Sequence, residues 1–216
     1  MSAALRVRLQ KACAQNQPYL VVALLSLGTI HPDAALGSAI ESGSVHILDL
    51  LLKAGASADA PVGFHKATAL HKTIDERRHD MTALLLARGA CPNKADDYGR
   101  TLLHTAASNV DTVALQSLID AGAKGDVVDC SLETPLHKLC RHLNEGGPHV
   151  LRALQALLGM PSLNPGRRNG CGQLAEELAL AYDCPELVSL IVVERSRRSR
   201  WSVLRQMWIA ATICPM

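Results

Sequence analysis

A four-residue segment recurs at a fixed interval in the middle of the chain, and this interval constrains the fold more than any other feature. The segment reads TALH, then TLLH, then TPLH, with successive copies 33 residues apart. Its first and last residues are Thr68 and His71, Thr101 and His104, and Thr134 and His137. A period of this length is typical of repeat arrays, in which each unit buries its apolar face against its neighbours.

Residues 96–126, which span most of one 33-residue period, predict two short helices followed by a loop. Thr101 precedes an apolar stretch and suits the N-cap position, where its hydroxyl accepts from a free backbone N–H. Apolar residues at i, i+3 and i+4 spacing then indicate a first helix. The same spacing recurs over residues 113–120 and indicates a second helix. Gly122 follows it, at the position where a glycine with left-handed backbone commonly ends a helix.

The second half of each unit repeats as well. It reads LLLKAGASAD at 50–59, LLLARGACPN at 84–93 and SLIDAGAKGD at 117–126. Together with the T-P-L-H segments, these endings resemble the ankyrin-repeat family, whose units run T-P-L-H-x-A-A and then L-L-L-x-x-G-A. The resemblance is closest over residues 34–137. It implies an all-α solenoid of stacked helix-turn-helix units, with β-hairpin-like loops between the repeats.

The repeat register divides the chain into seven segments. We expect an N-terminal capping unit, three full repeats, a degenerate repeat with a longer turn between its helices, a degenerate C-terminal capping repeat and a basic amphipathic tail. The predicted boundaries are 1–30, 31–60, 61–94, 95–127, 128–164, 165–193 and 194–216. The first full repeat departs from the pattern, because Gly37 stands where the next three units have histidine.

The recurring histidines are predicted to be structural. A zinc ion needs its ligands about 2 Å away, whereas successive repeats stack about 10 Å apart, so histidines of different units cannot share one ion. No serine, cysteine or carboxylate recurs beside them to complete a catalytic pair. In ankyrin repeats this histidine bridges polar groups within or between units, and the resemblance implies the same role here, with the threonine as its partner in the motif.

The chain carries no recognisable motif for catalysis or cofactor binding. It lacks a Gly-rich phosphate loop, a nucleophile elbow and an H-E-x-x-H segment. Glu176 and Glu177 are adjacent in sequence, so a helix would point them in different directions. We therefore expect a non-enzymatic protein that needs no cofactor, no metal ion and no small-molecule substrate.

Cysteine usage and hydropathy bear on the cellular compartment. The seven cysteines form no C-x-x-C pair and their number is odd, which favours mostly buried thiols in a reducing compartment. The longest apolar run, residues 19–27, is too short to span a bilayer. It fits the repeat register better than a signal peptide. An intracellular protein, cytoplasmic or nuclear or both, is expected.

Ankyrin arrays generally bind other proteins through loop tips and the concave face of the first helices, and the resemblance implies that function here. Phe64 and Tyr98 fall in inter-repeat loops, where aromatic anchors contribute strongly to binding. Polar residues after each first helix change from acidic to basic along the array and could orient a partner. The predicted partner-binding residues are Phe64, Lys66, Lys72, Asp75, Glu76, Tyr98, Arg100, Ser108, Asn109, Leu132, Arg141 and His142. Two alternatives stay open: each aromatic packs against a neighbouring loop, or the polar residues are only a solvated face.

The tail, residues 194–216, concentrates basic charge. It has five arginines and one glutamate, whereas the remainder has 17 basic and 19 acidic residues. Its candidate binding residues are Arg195, Arg197, Arg198, Arg200, Trp201 and Trp208. The tail could cap the array, or recruit a second partner and make the protein an adaptor or ubiquitin-ligase substrate-recognition subunit. Contact with an anionic membrane or nucleic acid is the least expected alternative.

Overall fold

The computed structural model describes the backbone of residues 2–63, 65–142, 147–181 and 184–213, and the side chains of these residues from 3 to 199. Within these ranges the chain forms twelve α-helices, one 3-10 helix and no extended strand, so the all-α prediction is confirmed. The α-helices are α1 Ser2–Ala14, α2 Pro18–Leu25, α3 Leu36–Glu41, α4 Val45–Lys53, α5 Ala69–Asp75, α6 His79–Ala87, α7 Leu102–Ser108, α8 Thr112–Asp120, α9 Pro135–Arg141, α10 Pro148–Leu158, α11 Ala175–Leu180 and α12 Pro185–Ile213. The 3-10 helix spans Pro32–Ala35.

The helices form two parallel rows. Each odd-numbered helix contacts the next odd-numbered helix, and the even-numbered helices contact one another in the same order. Each helix pair therefore packs only on its neighbours, which is the architecture of a solenoid. All pairs lie within the predicted units except the last, because α12 continues across the predicted boundary between the last unit and the tail. The unit boundaries themselves stay a prediction.

Local sequence signals set where these helices begin and end. Thr68, Thr101 and Thr134 have extended backbone and are the N-cap residues of α5, α7 and α9. The second helices end at glycines with left-handed backbone: Gly55 (φ +95°), Gly89 (φ +83°) and Gly122 (φ +83°). After α8, the N–H of Ala123 bonds the Leu118 carbonyl at 2.9 Å, and the N–H of Gly122 bonds the Ile119 carbonyl at 3.0 Å. These two bonds make a Schellman motif that satisfies carbonyls at the helix end.

Three of the loops between units are short antiparallel hairpins with one bridge each. The bridges join Pro61 to Thr68, Ala95 to Thr101 and Arg168 to Leu174. Backbone hydrogen bonds of 2.9 Å also connect the tips of successive loops, from Asp97 N–H to the His65 carbonyl, from Cys130 N–H to the Tyr98 carbonyl and from Gly170 N–H to the Ser131 carbonyl. The loops therefore form an ordered row along one edge of the array.

One apolar core runs through the whole array. Leu9 at its start and Ile191 near its end are both fully buried, and leucine and alanine supply most of the side chains between them. Alanines in the first helices, such as Ala106 and Ala107, are also fully buried. Small side chains at these positions let neighbouring helices approach closely, as close packing of the interior requires.

Candidate functional site

Each recurring histidine links its own unit to the next one. The backbone N–H of Thr101 donates to Nδ1 of His104 at 3.1 Å, and Nε2 of His104 donates to the Glu133 carbonyl at 2.9 Å. The same pair of bonds joins His71 to Thr68 (3.2 Å) and the Arg100 carbonyl (3.4 Å), and His137 to Thr134 (3.3 Å) and the Gln173 carbonyl (3.1 Å). Because a backbone N–H only donates and a carbonyl only accepts, the partners fix the neutral tautomer with the proton on Nε2.

Burial reinforces this protonation state. It lowers the pKa of all three histidines, because the charged imidazolium loses solvation in the core. Both ring nitrogens of each histidine are engaged, so neither is offered to a metal ion or a substrate. Among the described residues, no three His, Cys, Asp or Glu side chains cluster closely enough to hold a metal ion.

The histidine links are confined to the three central units. In the first full repeat a Cβ on Gly37 would lie 2.9 Å from Cγ1 of Val62, so the following loop occupies the space that a histidine side chain would need. In the last unit Oε2 of Glu177 accepts from the N–H of Leu174 at 2.9 Å, which caps the helix without reaching another unit.

Sequence reasoning missed a second recurring device, which organises the loop tips. Oδ1 of Asp96 accepts from the N–H groups of Tyr98 and Arg100, both at 2.9 Å. Asp129 and Asn169 make the same pair of bonds to the residues two and four positions later. Each of the three stands five residues before the N-cap residue of its unit, and that recurrence was a usable signal. These bonds form Asx turns, in which an Asp or Asn side chain bonds the backbone two residues later, and the turns hold each loop tip in one conformation.

Tyr98 and Leu132 occupy adjacent loop tips and remain accessible. Tyr98 is 43% exposed, and its ring lies 4.9 Å from the His65 ring, with the Arg100 guanidinium carbon 5.2 Å from its centroid. Leu132 is 51% exposed and has a left-handed backbone with φ +56°. Tyr98 therefore packs partly against the neighbouring loop while leaving surface for a partner. Phe64 lies outside the described residues.

The acidic-to-basic gradient after the first helices consists largely of paired charges. Glu76 lies 3.8 Å from Nζ of Lys72 and 3.7 Å from Nε of Arg78. At the other end, Nε of Arg141 donates to the buried Glu133 carboxylate at 2.7 Å. These pairings neutralise much of the gradient, which weakens it as a means of orienting a partner over a distance.

The remaining predicted residues take varied positions. Asp75 and His142 are exposed, and Ser108 and Asn109 are half-buried at the end of α7, where the Asn109 carbonyl accepts from Arg77 at 2.6 Å. Loss of solvation around its carboxylate raises the pKa of Asp75, although the residue as a whole is exposed. Closer to the loops, Lys66 pairs with Asp97 at 3.0 Å and Arg100 with Asp96 at 2.7 Å.

The cysteines differ from the prediction of mostly buried thiols. Cys13 and Cys140 are buried, and burial raises their pKa values to about 11 and about 12. Cys130 and Cys171 are instead exposed, because they lie at loop tips where the backbone, and not the side chain, makes the contacts between loops. The prediction was therefore wrong for the loop cysteines.

The beginning of the tail is part of the array. Arg195 pairs with Glu176 at 2.8 Å, and the Arg198 guanidinium donates to the carbonyls of Leu158, Met160 and Leu163 at the end of α10. Arg197 is exposed and pairs only with Glu194 among the described residues, at 3.3 Å. Arg200, Trp201 and Trp208 continue the backbone of α12, but their side chains lie outside the described residues.

Comparison with known proteins identifies the architecture. No family model matches the chain. The transient receptor potential channel pyrexia of Drosophila melanogaster is 33% identical over 111 residues, which cover 48% of this chain and 11% of the channel, so the chain spans only a small part of that relative. The crystal structure of an ankyrin repeat domain from Acinetobacter baumannii AYE matches with a TM-score of 0.79 and 23% identity, covering 87% of this chain and 97% of that domain.

The chain has the ankyrin-repeat fold. The resemblance that the recurring threonine, histidine and glycine residues indicate is thereby confirmed, together with the predicted solenoid. Ankyrin repeats are a general protein–protein interaction module and are typically non-enzymatic. Among the described residues of this ankyrin array, no helix is both long and apolar enough to cross a membrane.

Proposed function

We propose that this ankyrin array is a non-enzymatic module that binds a partner protein through its loop tips and the adjoining first helices. The binding surface is the loop-tip ridge, which we define as residues 65–66, 97–98, 130–132 and 170–171. Hydrogen bonds between successive tips and the Asx turns order this ridge before any partner arrives. Such pre-organisation reduces the entropy cost of binding.

The observation that carries the proposal is the conformation of Leu132. At the equivalent position the neighbouring loops have Gly99 (φ +72°) and Gly172 (φ +77°), for which a left-handed backbone costs little. A leucine in the same conformation costs about 1–2 kcal/mol. Val110 is also left-handed, with φ +49°, but it packs against the apolar core. Leu132 combines strain with exposure and gains nothing from the core, which supports a role in binding.

Tyr98 supplies the second anchor. Its ring is held between His65 and Arg100, so it loses little conformational freedom when a partner covers the exposed part. Partly exposed aromatic side chains held in one orientation are typical binding hot spots. Because Cys130 N–H bonds the Tyr98 carbonyl, the loops that carry Tyr98 and Leu132 are directly connected, and the two anchors can act on one partner.

Leu132→Gly separates binding from stability. Removal of the strained leucine should leave the free energy of unfolding unchanged or raise it by up to about 1 kcal/mol. Binding of the partner should weaken at least about tenfold in Leu132→Gly with Tyr98→Ala, since both anchors are lost. The measurement is quantitative capture from a cell lysate on the immobilised chain, followed by titration of the recovered partner and chemical unfolding of each variant.

Val113→Ala is the matched control for this experiment. Val113 is similarly exposed but lies in α8, away from the loops, so its truncation should leave the captured proteins unchanged. Equal binding by the parent and the double variant would show that the loop-tip ridge is not the binding surface.

The adaptor alternative depends on the end of α12. Arg195 and Arg198 are used by the array itself, so Arg197 and the part of the tail beyond residue 199 remain for a second partner. A variant that ends at residue 199 keeps both arginines. It should retain every captured protein if the tail only caps the array, and lose a distinct subset if the protein is an adaptor.

A further inference from the structure

The second helix of the N-terminal unit, α2, exposes apolar side chains on most of its surface. Tyr19 is 92% exposed, Val22 49% and Leu20 40%, and Leu27, two residues after the helix ends, is 55% exposed. The stretch from residue 12 to residue 30 contains no charged side chain. Large apolar groups in such a continuous set on a protein surface usually mark a contact with another molecule.

Comparison with the other units shows that this exposure is not a general property of second helices. With Gly28 aligned to Gly55, Gly89 and Gly122, Tyr19 takes the position of His46, Asp80 and Val113, and Val22 that of Asp49, Ala83 and Gln116. These positions are exposed or half-buried in each unit, so stacking of repeats does not cover them. Four of the six equivalent residues are polar, whereas α2 is apolar at both positions. An additional unit packed before α1 would leave Tyr19 and Val22 uncovered.

The first helix of this unit, α1, packs on α2 and carries only basic charge, while Asp49 of α4 on the other side is paired with Lys53 and Arg88. Arg6, Arg8 and Lys11 are exposed on α1, and residues 1–32 contain no aspartate or glutamate. The N-terminal face, which we define as these three basic residues together with Tyr19, Val22 and Leu27, takes its positive charge from α1 and its projecting apolar groups from α2 and the residues after it, two helices that pack on each other. A second copy of the chain would bring the same charge to the contact, so self-association through two such faces is disfavoured.

We propose that the N-terminal face binds the surface of an anionic membrane. Apolar side chains beside basic residues are the combination that holds peripheral proteins at the boundary between headgroups and acyl chains. Tyrosine is enriched at this boundary, and each lysine or arginine near an anionic surface adds to the attraction. This contact goes beyond the proposed binding of a partner protein and replaces the sequence-based expectation that membrane contact is the least favoured.

The shape of the face favours lipid over a protein partner. Tyr19 projects almost completely into solvent, so a protein partner would need an apolar groove with acidic walls to receive it. A bilayer interface is deformable and accepts projecting groups without a matching cavity. The helix itself has only eight residues, so the contact lies along the surface and does not cross the membrane.

The test is co-sedimentation of the full chain with vesicles of phosphatidylcholine alone and of phosphatidylcholine with phosphatidylserine. The parent should bind the anionic vesicles at least about tenfold more tightly than the neutral ones, and binding should fall when salt rises from about 0.1 to about 0.5 M, because salt screens the basic residues. Tyr19→Ser with Val22→Ser and Leu27→Ser should reduce binding to anionic vesicles at least about tenfold. Arg6→Gln with Arg8→Gln and Lys11→Gln should do the same and should abolish the preference for phosphatidylserine.

Two controls make the outcome specific to this face. Val113→Ser removes an exposed apolar residue at the position in α8 that corresponds to Tyr19, and it should bind vesicles as the parent does. The variant that ends at residue 199 removes Arg200 and Arg205 and should also keep its binding. All of the substitutions change exposed positions, and circular dichroism should show unchanged melting of the substituted variants.

Three results would overturn the proposal. One is failure of the parent to bind phosphatidylserine vesicles. In that case the N-terminal face would bind another protein, one with an acidic groove that receives Tyr19. Another is undiminished binding by the apolar triple variant. The third is loss of binding only on removal of the tail. None of these results bears on the loop-tip ridge, so the proposed protein-binding function stands or falls separately.

Discussion

Leu118→Ala should lower the free energy of unfolding by about 2–5 kcal/mol. Leu118 is fully buried in α8, at the centre of the array, and its carbonyl also accepts the bond that closes the helix end. Truncation leaves a cavity between units that cannot collapse without moving α6 or α10, both of which pack on α8. Because repeats are held only by their neighbours, the loss should also uncouple the units on either side and broaden the unfolding transition.

Urea unfolding followed by circular dichroism measures this effect. Val113→Ala in the same helix is the control, since its side chain is half exposed and its truncation should change stability by less than about 0.5 kcal/mol. Equal stability of Leu118→Ala and the parent would mean that α8 does not pack in the register described above.

Stability should fall as the pH drops from about 7 to below the ordinary histidine pKa of about 6.5. His71, His104 and His137 have pKa values lowered by burial, so in this window the unfolded chain binds protons that the folded chain does not. Each histidine then contributes a slope of at most about 1.4 kcal/mol per pH unit, and the three together at most about 4. Protonation of Nδ1 would also turn it into a donor that faces another donor, the threonine N–H, and the hydrogen bond between them would be lost.

The histidine effect can be separated from that of the carboxylates. The pKa values of Asp96, Asp129 and Glu133 are lowered by nearby Arg and Lys side chains and backbone N–H groups, which outweigh the effect of burial, so their contribution to stability is lost only at lower pH, below about 4.5. His104→Ala should cost about 1–3 kcal/mol at neutral pH, since buried partners lose their bonds. It should also reduce the slope just below pH 6.5 by about one third. A flat stability profile over this window would contradict the assigned tautomer.

The sequence was sufficient to predict the fold because its signals are local and recur. Threonine at an N-cap, glycine after a helix end and a fixed spacing of leucine and alanine each determine a short element, and a period of 33 residues requires the elements to stack. The role of the histidine was also accessible, but only the structure shows that Nε2 reaches the carbonyl of the following unit.

The candidate site was predicted less completely, because exposure depends on what the neighbouring units leave uncovered. The sequence placed Leu132 in a loop, but its left-handed backbone and exposed side chain follow from the Asx turn at Asp129. Arg141 was predicted to orient a partner, but its charge is paired with Glu133, which lies beside it because the loop folds onto α9. The apolar run at residues 19–27 was read as part of the repeat register, and only the structure shows that Val21 and Leu24 are the buried residues of α2.

Amide hydrogen exchange of the full chain, alone and with its captured partner, tests the central claim most directly. Binding at the loop-tip ridge should slow exchange of the amides in residues 97–100 and 130–133, and Leu132→Gly should reduce that protection. The second helices α4, α6 and α8 should exchange at the same rate with and without the partner. Protection confined to those second helices or to the tail, with unchanged exchange at the loop tips, would contradict the account.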